Sequence, residues 1–479
     1  MTTTSALGSG SGLDLTSLLS QMITAEKQPQ IDLITQQTTK VSTTISALGA
    51  LKSAASSFQS ALSDLKDPKF FTGHTATSGD TSMFSVTADG TADAGNYSIS
   101  VLNLASANKI ASGNFTGPDA VVGSGKLSIS VGDEAFDVDV SSDDNTLGEI
   151  RDAINNAPNN TGVKASLLTV SDGNGGTATK LVLTAKDTGA NSQISVSVAD
   201  DDGNNTDGSG LSQLYYSKSD ADNSHFSEVN PALDAKITID SFTATSSTND
   251  FKDAIAGVTI TALKPVVDSD KNPTSADLNI AVDTNSVKTA IQKFVTAYNA
   301  YAGTYNTLTS YTAASAGQAA TAGPLLGNSS ANLLNTRLRQ GLTNSVTDAT
   351  PNFNSLAAIG ITTKADGTLE IDDTKLSKAL SGNMDDIAKL FSGDNGVAGR
   401  LDKQLSDSLS STGLFQNTQN TLQSQLDDLQ KQATDLDTRM DAKEASYRAQ
   451  FTALDSLVAQ LKQTGNFLTQ QLSNTSSSS

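Results

Sequence analysis

Apolar and polar residues change their spacing twice along this chain. Near the start, Leu15, Leu18, Leu19, Met22 and Ile23 recur at short steps between Thr, Ser and Gln. That spacing puts them on one face of a helix, and Asp14 stands where an N-cap would stand. Ile34, Val41, Ile45, Leu48, Ala55, Phe58, Leu62 and Leu65 carry the helical pattern on. Pro29 is expected to break or kink this stretch away from the first helix, and DPKFF (67–71) to end it.

The period then drops to two. NYSISVLNL (96–104), KLSISV (126–131), AFDVDV (135–140), KASLLTV (164–170), KLVLTA (180–185), QISVSV (193–198), AKITID (235–240) and GVTITAL (257–263) alternate apolar and polar residues, as half-buried strands do. SDGNGG (171–176) and DDDGNNTDGSG (200–210) supply turn residues between them. TLGEIRDAIN (146–155) reads as one short helix.

Helical spacing returns at Val287, Ile291, Phe294, Tyr298, Tyr301, Tyr305 and Leu308, a stripe that reads as bundle core more readily than as a ligand platform. Farther on, Leu422, Leu426, Leu429, Ala433, Leu436 and Met440 make a heptad seam. It resumes through Tyr447, Phe451, Leu454, Val458, Leu461, Gly465, Leu468 and Leu472, with a stutter of successive four-residue steps about Tyr447. A continuous helix over 414–472 would span on the order of 85 Å. A seam that long needs a long partner, and the N-terminal helices carry a matching stripe.

These patterns predict an α+β multidomain protein, with a helical coiled-coil or bundle stalk formed by both termini and antiparallel β-rich head domains inserted between them. The expected division is a terminal leg (1–40 and 430–479), a helical bundle (41–72 and 286–429), a β-rich head (73–118 and 236–285) and a second, more variable head (119–235).

Charge narrows the functions. The chain carries 51 acidic and 31 basic side chains, a net of −20, which argues against nucleic-acid binding. Residues 73–285 hold 29 acidic and 11 basic side chains, so the imbalance sits in the β-rich middle and reads as a solvated acidic surface. No cysteine is present, which excludes disulfides, zinc-thiolate sites and cysteine nucleophiles. No apolar run approaches the length of a membrane span. The start lacks the basic segment and unbroken apolar run of a secretory signal.

Motifs that resemble chemistry fail on spacing. GSGKLS (123–128) lacks the upstream glycine and the hydroxyl residue of a phosphate-binding loop, with Ala120 and Leu127 in those places. DDDGNNTDGSG does not place ligands at the EF-hand positions before Gly203 or Gly208. His74 and His225 are the only histidines and stand in no ligand-spaced motif. The sequence therefore offers no catalytic residue, cofactor or metal site.

Several segments resemble a known family. SGLDLTSLLSQMITAEKQPQ (11–30) is similar to the N-terminus of the flagellar filament capping protein family, FliD (flagellar hook-associated protein 2). GNYSISVLNLASANKIAS (95–112) and ATSSTNDFKDAIAGVTITALKPV (244–266) look like two further segments of that family. Most specific is LAAIGITTKADGTLEIDDTKLSKALSGNMDDIAKLFSGDNGVAGRLDKQLSDSLSSTGLF (356–415). The region around 118–235 has a weaker likeness, to a repeat shared by capping proteins and some flagellins. Ser241 departs from the family's frequent Ile-Asp-Gly turn.

The resemblance implies a non-enzymatic cap at the filament tip that promotes folding and insertion of exported flagellin and prevents its leakage. It implies export through the flagellar type III channel without a cleaved signal, an extracellular location at the flagellum tip, and a homo-oligomeric ring. Its other implied partners are flagellin, the hook–filament junction and an export chaperone at the C-terminal helix, with no nucleic acid and no membrane. Within that reading, Leu15, Leu18, Leu19, Met22, Ile23, Phe467, Leu468 and Leu472 are the candidate assembly contacts. The alternative for these helices is pairing with each other inside one chain. Val287, Ile291, Phe294, Tyr298, Tyr301, Tyr305, Leu422, Leu426, Leu429, Leu436 and Met440 are the candidate bundle core. An alternative function is a surface adhesin binding mucin or host glycans through the acidic heads.

Overall fold

The computed structural model describes Gly8 and residues 12–160, 162–315 and 317–476, with side chains described through residue 472. The described residues hold eight α-helices: α1 (Leu15–Ser60), α2 (Leu147–Asn156), α3 (Thr284–Thr309), α4 (Ser329–Thr343), α5 (Asp373–Leu380), α6 (Met384–Phe391), α7 (Val397–Leu409) and α8 (Leu414–Ser476). The chain divides into two compact units, Met1–Phe71 with Thr284–Ser479, and Thr72–Asp283.

In the first unit every helix but α2 contributes. Phe58 of α1 sits at the centre, its ring 5.5–6.3 Å from those of Phe294, Tyr298 and Tyr301 on α3. Around these rings pack Leu334 and Leu338 of α4, Leu376 of α5, Ile387 and Phe391 of α6, Leu401 and Leu405 of α7, and Phe415 of α8, all buried. Burial pushes the Tyr301 hydroxyl far above the usual phenol range. Arg400 on α7 closes the end of α4, donating to the carbonyls of Gly341 (3.1 Å), Asn344 (2.9 Å) and Ser345 (3.3 Å). That supplies donors for carbonyls left open at a helix terminus.

The expected helix end at DPKFF is displaced. α1 stops at Ser60, and Leu62 and Leu65 reach the core from the turns that follow. A short 3-10 helix, Pro68–Thr72, then leads out of the unit.

The second unit is antiparallel throughout its sheets and carries two hydrophobic clusters. One cluster lies between a five-stranded sheet, ordered His74–Ser78, Ala276–Val282, Gly95–Asn103, Ala235–Ile239, Phe242–Ser246, and a three-stranded sheet of Asp250–Ile255, Val258–Ala262 and Phe84–Ala88. The other cluster gathers a four-stranded sheet (Ser227–Asn230, Lys109–Ala111, Thr177–Ala185, Val163–Ser171), a three-stranded sheet (Glu134–Val140, Gly125–Val131, Ile194–Asp200) and α2. α2 starts on a capping box, with Thr146 and Glu149 each bonded to the other's backbone.

Asn108 is wholly buried and uses its amide on both sides. Its Nδ2 donates to Glu228 Oε1 and the Asn230 carbonyl, and its Oδ1 accepts from Gln193 Nε2 and the Ile194 backbone, all at 3.0 Å. The strand Ser227–Asn230 belongs to one sheet and Ile194–Asp200 to the other, so a single satisfied side chain ties the two layers together.

Two sequence features find their reasons here. GSGKLS opens the strand Gly125–Val131, and a Cβ on Gly125 would lie 2.3 Å from the Ala199 carbonyl oxygen. Gly125 serves close strand approach. In the hairpin between Ala235–Ile239 and Phe242–Ser246, Asp240 takes the left-handed conformation (φ 53°) and its carboxylate accepts from the Ser98 amide at 3.0 Å. The strained position is Asp240, so serine fits at 241 where the resembling pattern has glycine.

Three turns share one device. Asp80, Asp89 and Asp366 each accept, on a single oxygen, from the backbone and hydroxyl of the Ser or Thr two residues on, at 2.6–2.9 Å. These bonds hold all three carboxyls below the usual carboxylate range. A depressed folded value means the unfolded chain takes up protons first as pH falls. Their stabilisation is therefore complete above the ordinary value of about 4 and lost as pH drops through the lower folded values. Thermal midpoints measured from neutral to strongly acid pH are expected to fall in that window, and less steeply for the triple Asp→Asn variant. Equal slopes would contradict this.

Candidate assembly surfaces

α1 begins on Asp14, whose Oδ1 accepts from the Ser17 amide at 2.9 Å. The helix is continuous over 46 residues with Pro29 inside it, which corrects the expected break. Proline cannot donate and its ring crowds the carbonyl one turn back. The next residue, Gln30, turns its side-chain amide back to the Glu26 carbonyl at 3.4 Å. Across from this level α8 supplies three further contacts. Lys27 pairs with Asp437 at 2.7 Å, Lys443 pairs with Glu26, and Arg439 Nη2 donates to Gln30 Oε1 at 2.6 Å. Asp437 holds the Lys27 ammonium above its ordinary value.

These contacts fix α1 and α8 as an antiparallel pair. Low residue numbers of α1 meet high numbers of α8, and at the other end Val41 and Thr44 border a cleft of about 450 Å³ with Leu422 and Leu429. α8 is 63 residues long, against 46 for α1.

The candidate assembly contacts divide under this pairing. Leu15 and Leu19 are buried, 4% and 2% exposed, and Ile23 is half-buried. They lie on the face that continues to Glu26 and Gln30, so they are engaged within the chain and are not free surface. Leu18, Met22, Phe467, Leu468 and Leu472 are exposed. Of the candidate core, Val287, Ile291, Phe294, Tyr298, Tyr301, Leu429, Leu436 and Met440 are buried, and Tyr305, Leu422 and Leu426 are partly so.

Sequence spacing places Leu454 in the α8 seam, and the structure does not. Asp455 is half-buried in its stead and Leu454 is 49% exposed. After Tyr447 and Phe451 the buried face moves by another four residues, so the next inward position is 455 and then Val458. The leucines that fall out of the seam form a stripe of their own: Leu454, Leu457, Leu461, Leu468 and Leu472, all exposed.

The two exposed sets share a side. Leu18 and Met22 each precede a seam residue of α1 by one, as Leu454 and Leu457 precede seam residues of α8. In an antiparallel helix pair, positions offset in the same sense from the seam lie on the same side of both helices. The leg thus presents apolar side chains along one side, which marks an interaction site. Leu457, three residues after Leu454 and four before Leu461, was the sequence signal for it.

The acidic loop DDDGNNTDGSG spends its polar groups on itself. Asp200 Oδ2 accepts from the Ser212 amide at 2.8 Å, and Asp207 Oδ1 from the Ser209 amide at 3.0 Å and the Ser212 hydroxyl at 2.7 Å. Among the described residues no three His, Asp or Glu side chains are grouped as metal ligands, and no helix is long and apolar enough to cross a membrane.

Terminal helices paired into a leg, with a β-rich unit inserted between them, define a structural assembly protein. Comparison with known proteins gives the particular family. Residues 11–108 and 232–463 match the family models of the flagellar hook-associated protein 2 N-terminus and C-terminus, and 126–187 match the flagellin hook IN motif. The chain is 34% identical to the flagellar hook-associated protein 2 of Escherichia coli K12, covering 100% of both chains. It is 34% identical to the B-type protein of Pseudomonas aeruginosa, covering 98% of this chain and 97% of that one. A crystal structure of the D1-D2-D3 domains of the E. coli flagellar cap protein FliD superposes with a TM-score of 0.61 at 31% identity, covering 79% of this chain and 99% of that one. The chain belongs to the flagellar hook-associated protein 2 family, the FliD flagellar cap proteins.

Proposed function

We propose that this chain caps the distal end of a bacterial flagellar filament, where it promotes folding and insertion of exported flagellin and prevents its loss to the medium. The observation that carries the reading is full-length similarity to flagellar hook-associated protein 2, joined to a two-helix leg that leaves apolar side chains exposed along one side. Such a stripe suits contact with the helices of arriving or seated subunits. Leu18, Met22, Phe467, Leu468 and Leu472 are the candidate contacts exposed in the folded chain, whereas Leu15 and Leu19 are buried in it.

In this reading the chain forms a homo-oligomeric ring through heterologous contacts, reaches the tip through the flagellar type III channel and meets an export chaperone at α8. The leg (1–40 and 430–479) meets the filament, and the bundle (41–72 and 286–429) adjoins it within the helical unit. No observation adds weight to the adhesin alternative. A strain lacking the chain is expected to release flagellin monomers and grow no filaments, with filaments restored by the chain in trans. Normal filaments in the deletion strain would overturn the assignment.

A further inference from the structure

We propose that Asn174 is a self-modifying site, losing its side-chain amide spontaneously to become aspartate or isoaspartate at the tip of an exposed hairpin. The sequence contains two Asn–Gly pairs, 174–175 and 395–396. In such a pair the deprotonated glycine nitrogen can attack the asparagine Cγ. A C–N bond forms, the side-chain nitrogen leaves as ammonia, and a five-membered succinimide results. Water then adds to either ring carbonyl and breaks its bond to the ring nitrogen, giving aspartate or isoaspartate. The net change is amide plus water to acid plus ammonia, with no oxidant or reductant. Glycine favours the attack because no Cβ obstructs the approach.

Around Asn174 nothing opposes the closure. The residue is exposed between the strands Val163–Ser171 and Thr177–Ala185. Gly173 and Gly175 have φ of 82° and 90°, and a Cβ built on either would meet nothing within 4 Å. The Asp172 carboxylate accepts from the amides of Asn174 (2.8 Å) and Gly176 (2.9 Å), flanking Gly175. Among the described residues, the Gly175 amide and the Asn174 side chain have no hydrogen-bond partner, so nucleophile and electrophile are both free to turn. The neighbouring Asp172–Gly173 pair does not compete, because those same amides hold Asp172 ionised and an ionised carboxylate offers no leaving group.

Asn395 is the internal control. Its Nδ2 donates to Asp348 Oδ2 at 3.0 Å. Gly396 is buried as the N-cap of α7, its amide bonded to the Gly393 carbonyl at 3.3 Å. A Cβ there would lie 2.2 Å from the Ser392 carbonyl oxygen. Swinging the Gly396 nitrogen toward Asn395 Cγ would unseat the first turn of α7, whose Val397 and Ala398 are wholly buried. Reaction at Asn395 therefore waits on local unfolding. The consequence is a covalent record of age in the second unit, each event adding a negative charge to the tip of one hairpin.

The test is peptide mapping by mass spectrometry of the full-length folded protein, incubated over time in mildly alkaline buffer. Isoaspartate is measured in parallel by enzymatic methylation. Deamidation at Asn174 is expected to exceed that at Asn395 on the order of tenfold or more, since only the latter requires opening of the fold. In urea the two sites should converge. N174S should remove the methylation signal, and G175A should slow the loss at Asn174 while leaving Asn395 unchanged. An Asn174 peptide as stable as the Asn395 peptide in the folded chain would overturn the proposal, as would equal reaction at both sites before unfolding.

Discussion

A chain ending at residue 439 is expected to support no filament growth while its β-rich unit stays folded. The truncation removes Met440, Lys443, Tyr447, Phe451 and Val458, the inward positions of α8 beyond the bundle. Leu15 and Leu19 of α1 then lose their cover, at about 1.5–3 kcal/mol for each leucine returned to water. Glu26 loses its ion-pair partner in the same stroke. The exposed stripe from Leu454 to Leu472 disappears altogether. None of this reaches the unit Thr72–Asp283, whose two clusters contain no residue of α1 or α8. Electron microscopy of cells producing the truncated chain, with flagellin assayed in the medium, gives the functional result. Limited proteolysis of the purified chain gives the structural one. Normal filaments would remove the leg from the mechanism, and loss of the protease-resistant β unit would show that the two units are not independent.

Phe58→Ala is expected to produce the largest loss of stability from a single substitution. The ring is wholly buried and touches three aromatic neighbours on α3. Truncations of this kind cost about 3–5 kcal/mol through lost transfer energy and the residual cavity, against total stabilities of about 5–15 kcal/mol for a domain. The loss should fall on the helical unit alone. Calorimetry should show one transition moved strongly downward and another, belonging to the β-rich unit, unmoved. A shift of both would mean that the units unfold as one. The tyrosines beside Phe58 sharpen the expectation, because Tyr301 already keeps its hydroxyl buried without a hydrogen-bond partner among the described residues. An enlarged site would admit water to that hydroxyl without restoring the packing.

The parts of the fold that were legible in sequence are those with a sustained period. Alternation located the strands Gly125–Val131, Glu134–Val140, Val163–Ser171 and Thr177–Ala185 to within a few residues, since one face of each packs on a core. His74–Ser78 was missed because HTATS places only threonine, alanine and serine around a single histidine. The eight-residue helices α5 and α6 were missed individually because two turns are too short to establish a period. Pro29 misled for a different reason. Its intrinsic penalty in a helix interior is about 3 kcal/mol, and the contacts that offset it come from α8, more than 400 residues away. Spacing at Leu454 failed by one residue because drift after a stutter depends on the coil's actual winding.

The same separation sets the order of events when the chain folds. Glu26 and Lys443 are 417 residues apart in sequence, so closing the leg carries the entropy of a very long loop. Thr72–Asp283 is one contiguous stretch and can condense as soon as it is complete. A chain arriving N-terminus first therefore presents α1 unzipped for the entire passage of its middle. The leg is the last element to close, and until it does, Leu15 and Leu19 are available to whichever helix reaches them first.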